Sequence, residues 1–145
     1  MDNYRPIALM SVFSKIIEKV MYDRVINFLN KESLLNKCQH GFRDGFSTET
    51  ATAAFTQKIH ELLDKNNIVV AIFFHLSRAF DTIHISFISQ KIYNIGIRGP
   101  LNEWFQSFLS HREIMVKIDN VYSDSKNINI GTPQGSVLGP LIFLL

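Results

Sequence analysis

The sequence predicts an α+β domain, on three observations. An apolar stripe at helical spacing occupies the first third, a nearly unbroken β-branched and aromatic run lies at the middle, and an alternating apolar segment precedes a Gly- and Pro-punctuated end. Helices interspersed with such segments build antiparallel strands packed on helices.

Taken in order, Phe13, Ile17, Met21, Val25 and Leu29 recur every four positions from Ser11 onward, with Ile16, Val20 and Phe28 widening the stripe. This is an amphipathic helix with Ser11 as its N-cap. Lys31 to Gly45 has no regular period and reads as a loop carrying Arg43. A second helix begins near Ser47 or Thr48, with Glu49 in the dipole-favoured first turn and Ala51, Phe55, Ile59 and Leu62 or Leu63 on one face. Asn66-Asn67 breaks it, and Ile68 to Leu76 then reads as a strand buried on both faces. Helices follow over Ser86 to Ile95 and Pro100 to Leu109, the latter with proline at its first position and Leu101, Trp104, Phe105 and Phe108 sharing a face. Ile114, Val116 and Ile118, then Ser123-Asp124, then Ile128 and Ile130, read as a hairpin. The apolar piece Val137 to Leu145, interrupted by Gly139 and Pro140, is far short of a bilayer span and reads as a core helix.

With 145 residues and 46% apolar content the chain suits one domain with a buried core. The lone Cys38 allows no internal disulfide, and together with the lack of an amino-terminal signal pattern it points to an intracellular, cytoplasmic or nuclear protein with no membrane partner. Its spacing to His40 is half a metal site with no second pair of ligands in reach. The net charge of +2 is weak for a nucleic-acid binder, and residues 1–45 carry all of the excess, seven Lys/Arg against five acids.

Four landmarks then occur in order: Asn3-Tyr4-Arg5-Pro6-Ile7, Gln39-His40-Gly41-Phe42-Arg43 followed by Ser47-Thr48-Glu49, Ile72-Phe73-Phe74-His75-Leu76-Ser77-Arg78-Ala79-Phe80-Asp81-Thr82, and Gly131-Thr132-Pro133-Gln134-Gly135-Ser136-Val137-Leu138-Gly139-Pro140. Together they resemble the reverse transcriptase (RNA-directed DNA polymerase) domain of jockey-like non-LTR retrotransposons. The last two landmarks resemble that family's motifs A and B. The resemblance implies a single truncated domain over 1–145, with about 1–67 fingers-like and about 68–145 a partial palm of antiparallel strands on helices. The motif C hairpin with its Ala-Asp-Asp signature, and the thumb, are not matched by any residues of the chain.

The resemblance also assigns residues. His75 stands where the family has the aspartate that ligates both catalytic magnesium ions. Two such ions clamp the attacking and leaving oxygens of nucleotidyl transfer. Magnesium demands hard oxygen ligands, whereas imidazole offers nitrogen and no negative charge; nitrogen suits zinc, copper or iron, for which no companion ligands lie nearby. Loss of that ligand implies chemistry slowed by roughly a thousandfold or more. The expectation is therefore no intact catalytic residue, no metal and no cofactor for this chain. Arg43 matches the fingers arginine that pairs with the incoming triphosphate. Phe80 matches the steric gate against a ribose 2′-hydroxyl. Gln134 and Gly135, with Thr132 and Pro133, match the loop whose backbone approaches the nucleotide. Asp81, beside the gate, reads as a local hydrogen-bonding residue. Each also has a plainer reading: a solvated loop arginine, a core phenylalanine, a hairpin-to-helix turn.

The implied function is that of a catalytically incompetent reverse-transcriptase fragment that retains weak affinity for an RNA template or RNA–DNA hybrid, with a tendency to self-associate. Two other readings stand beside it: a non-catalytic module kept for binding RNA or a hybrid, and a remnant open reading frame without selected function.

Overall fold

The structure is a computed structural model, and it describes residues 7–145; Asn3 to Pro6 of the first landmark lie outside the described residues. The elements are helices α1 (Val12–Lys31), α2 (Thr48–Leu63), α3 (Ile85–Asn94), α4 (Pro100–Leu109) and α5 (Gly139–Leu144), with strands β1 (Arg112–Ile114), β2 (Lys117–Ile118), β3 (Val121–Tyr122) and β4 (Lys126–Ile128) between α4 and α5. The mixed helix and antiparallel-strand class follows the sequence expectation. No described helix is long and apolar enough to cross a membrane.

Helix boundaries follow local chemistry. The Ser11 hydroxyl accepts from the Ser14 N–H at 3.1 Å, so the expected N-cap of α1 is in place. Ser47 and Thr50 cap α2 reciprocally, each side chain accepting from the other's backbone. Three helices stop in the same way. A left-handed residue, Ser33, Asn66 or Gly96, lets the next N–H reach back five residues: Leu34 to the Leu29 carbonyl, Asn67 to that of Leu62, and Ile97 to that of Ile92.

One core joins α1, α3, α4 and α5: Val25 and Leu29, Ile88 and Ile92, Ile97, Phe105 and Leu109, and Leu138, Leu141 and Ile142 are all buried. The α1 stripe is only partly used. Val25 and Leu29 are inside and Met21 is half-buried, but Phe13, Ile16, Ile17 and Val20 are exposed, while the charged Glu18 is buried among them. Helix α2 has no buried residue; its Phe55 meets Phe73 with ring centroids 5.5 Å apart.

Two sequence expectations are overturned. The strand over Ile68 to Leu76 does not form: the segment has no regular structure, and Ile68, Val70, Ile72, Phe73, Phe74 and Leu76 are all exposed. A strand needs a neighbour to take its N–H and C=O groups. The described strands pair only with one another, β1 with β4 and β2 with β3, so the run stays in water whatever its propensity. The expected layer of palm strands packed on helices is correspondingly reduced to these two short exposed ladders.

The hairpin forms, but turns at Asp119-Asn120 and not at Ser123-Asp124. The ladder Lys117↔Tyr122 and Ile118↔Val121 fixes the tip, and Asp119, with φ of 52°, supplies the left-handed residue a tight turn needs. Ser123 lies inside the arm, its N–H donating to the Val116 carbonyl at 2.9 Å and its hydroxyl accepting from the Val116 N–H at 3.0 Å.

Candidate functional site

The turn after the exposed run and the loop before α5 are distant in sequence and stitched together in space. Residues 77–81 form a turn closed by the Asp81 N–H on the Arg78 carbonyl at 2.9 Å, with Arg78 at a φ of 54°. Against it lies the loop Gly131–Gly135. The Gly131 N–H donates to the Ile83 carbonyl at 2.7 Å and the Thr132 N–H to the Phe80 carbonyl at 2.9 Å, and His84 and Ile130 form an antiparallel bridge alongside. Gly131 has a φ of 72°, and a Cβ there would sit 2.9 Å from the Asp81 backbone. Only glycine lets the two segments approach so closely.

Side chains complete the junction. The Gln134 amide donates from Nε2 to Asp81 Oδ1 at 2.7 Å, and the Gln134 carbonyl accepts from the Ala8 N–H at 2.9 Å. A carboxylate is an acceptor only, so Asp81 decides which end of the Gln134 amide faces it. Arg112, at the base of the hairpin, donates to the carbonyls of Leu109, Ile130 and Gly131, and partial burial lowers the pKa of its guanidinium. The Thr132 hydroxyl is buried with no partner among the described residues.

An aromatic cluster covers one side. Phe80 lies against Phe143 with centroids 4.7 Å apart and meets the edge of Phe42 at 5.8 Å, while Phe42 and Phe143 are 6.5 Å apart. Such contacts tie the 36–46 loop, the 77–81 turn and α5 to one another.

The expected site residues thus divide. Phe80, Asp81 and Gln134 are brought together, while Gly135, next along the chain, faces Ile7 and Ala8. Arg43 stands one residue from Phe42, but its Nη1 donates to the carbonyls of Asn36 and Gln39 at 2.9 and 3.1 Å, and its guanidinium lies 4.3 Å over the Phe46 ring. In this state it holds its own loop. His75 sits on the exposed irregular segment, with no hydrogen bond among the described residues. Cys38 is exposed, and His40 Nδ1 pairs with the Thr50 hydroxyl at 2.9 Å. Sequence reasoning missed Glu18, Arg112 and Phe143. Glu18 alone gave a signal, since its position seven residues before Val25 and eleven before Leu29 puts a carboxylate on the buried face.

The family model described as reverse transcriptase (RNA-dependent DNA polymerase) matches residues 1–145. The chain is 34% identical over 145 residues to the probable RNA-directed DNA polymerase from transposon BS of Drosophila melanogaster, covering 98% of this chain and 16% of that protein. It is 29% identical over 143 residues to the corresponding probable polymerase from transposon X-element of the same fly, covering 99% and 16%. To the RNA-directed DNA polymerase from mobile element jockey it is 29% identical over 142 residues, covering 98% and 15%. The chain therefore spans only 15–16% of the length of these relatives. No solved structure matches it. Matched along its whole length, the chain belongs to the reverse transcriptase (RNA-dependent DNA polymerase) family, as a segment similar to the polymerases of non-LTR retrotransposons.

Proposed function

We propose that residues 1–145 are the part of a retrotransposon RNA-directed DNA polymerase that faces the incoming nucleotide and the primer–template, and that by themselves they hold this surface without performing nucleotidyl transfer. About 1–67 are its fingers-like part and about 68–145 its partial palm. The observation that carries the reading is the hydrogen bond from Gln134 to Asp81. It joins the glutamine of one landmark to the aspartate of another, although 53 positions separate them.

In this reading Phe80 closes the pocket against a 2′-hydroxyl, and the Gly131–Gly135 backbone lies along the nucleotide. Arg43 pairs with the triphosphate once it leaves the Asn36 and Gln39 carbonyls. The residues present do not fit the magnesium pair of the intact family. His75 offers nitrogen in place of a carboxylate, no Asp-Asp pair occurs in residues 1–145, and no three His, Cys, Asp or Glu side chains among the described residues sit close enough to hold an ion. Any partner is an RNA template or RNA–DNA hybrid, held weakly because the basic excess is slight.

Primer extension on an RNA template with magnesium or manganese tests the inactivity, and hybrid binding tests the surface. The expected result is no incorporation above a heat-inactivated control together with measurable binding. Incorporation would overturn the first claim, and absence of binding the second.

A further inference from the structure

We propose that Glu18 is a positioning residue that sets the Gln134 loop from behind; the proposal rests on the reading of that loop as nucleotide-facing. Glu18 lies in the second turn of α1, at 0% exposure. Its Oε2 accepts from the N–H groups of Val137 and Leu138 at 2.8 and 3.3 Å, and its Oε1 accepts from the Ser14 hydroxyl at 3.2 Å. The amides belong to the stretch between the loop and α5, where backbone donors have no intrahelical acceptor. Among the described residues no cation pairs with this carboxylate, the ion pairs there being Lys19–Asp23 and Lys58–Glu61, both on the surface. A buried carboxylate without a counter-ion is strongly unfavourable unless hydrogen bonds replace its water. Here the hydrogen bonds come from the exit of the loop, 119 and 120 residues away in sequence.

The loop is accordingly held at its entry, middle and exit. Its entry is fixed by Gly131 against the Asp81 backbone, its middle by Gln134 on the Asp81 carboxylate, and its exit by Glu18. Only five residues separate Gly131 from Val137, so freeing the exit gives Gln134 room to move off Asp81. The chemistry Glu18 supplies is that of an acceptor, and glutamine can supply it too. Its amide oxygen would face the two N–H groups while its NH2 donates to the Ser14 hydroxyl, which then accepts.

The test uses the isotope-labelled full chain, with amide exchange and the Gln134 side-chain amide resonance as readouts. In Glu18→Ala, exchange at Val137 and Leu138 should accelerate roughly tenfold to a hundredfold, the range expected for losing bonds to a charged acceptor. The Gln134 side-chain resonance should shift, while protection at Ile92 and Phe105 holds. Glu18→Gln should restore both readouts. A uniform loss of protection that includes Ile92 and Phe105, an unmoved Gln134 resonance, or a glutamine variant as loose as the alanine one would each overturn the role. Should the alanine variant not fold, Ser14→Ala takes its place, with faster exchange confined to Val137 and Leu138 as the expected result and unchanged exchange as the contrary one. Titrating the wild-type chain with an RNA–DNA hybrid separates the two layers: no binding removes the nucleotide-facing reading and leaves the clamp measurements standing.

Discussion

The Gln134 amide donates to the Asp81 carboxylate across 2.7 Å, and beside that bond the two segments run so close that a Cβ on Gly131 would sit 2.9 Å from the Asp81 backbone. Asp81 and Gln134 therefore belong to a single structural unit. Removing the carboxylate by Asp81→Ala should cost about 1 kcal/mol, the usual net worth of such a bond at a half-exposed site, read as a lower urea midpoint with an unchanged slope. Asp81→Asn should cost less, since its amide oxygen still accepts. Equal losses in both variants would show that charge and not acceptance matters.

Two glycines with similar backbone angles should respond differently to alanine. Gly45, at a φ of 79°, has nothing within 4 Å of a Cβ, so Gly45→Ala should cost only the left-handed penalty of about 1 kcal/mol. Gly131, at 72°, would drive its Cβ into the Asp81 backbone, and Gly131→Ala should cost about 2 kcal/mol or more. Chemical denaturation of the two variants checks the ranking.

His75→Asp should not bring back template-directed synthesis. A carboxylate at an exposed position on an irregular segment supplies one ligand, and two clamped ions need several. Primer extension by this variant with magnesium and with manganese is the measurement, and incorporation above the wild-type chain would refute the account of the missing site.

Binding to an RNA–DNA hybrid should be sequence-tolerant and fall steeply with salt, because phosphate contacts from a slight basic excess act through counter-ion release. Titrations at two ionic strengths decide this, and salt-insensitive binding would contradict it.

The exposed run should behave as surface in stability and as an adhesive in solution. Phe74→Ala should change the unfolding free energy by less than about 0.5 kcal/mol, whereas Phe105→Ala, from the core, should cost about 3 to 5 kcal/mol. Exposed Ile68, Val70, Ile72, Phe73 and Phe74 should also drive concentration-dependent association, visible by light scattering and reduced by Phe73→Ser with Phe74→Ser. A wild-type chain that stays monomeric at high concentration would contradict this.

The sequence by itself determined what is written in local periods and fixed motifs. The extent of α4 from Pro100 to Leu109, the cap at Ser11, the start of α2 near Ser47 or Thr48, the break at Asn66 and the family itself were all legible, because each depends on neighbours within a few residues or on an ordered set of short motifs. Tertiary structure decided which apolar residues find a partner. Ile68 to Leu76 has every local mark of a buried strand and remains exposed because no other described segment takes its backbone hydrogen bonds, while Phe13 on α1 is exposed and Glu18 on the same helix is buried. Periodicity cannot report that exchange, since the Val137 and Leu138 amides that solvate Glu18 lie 119 and 120 residues away and reach it only once α1 and α5 have joined the same core.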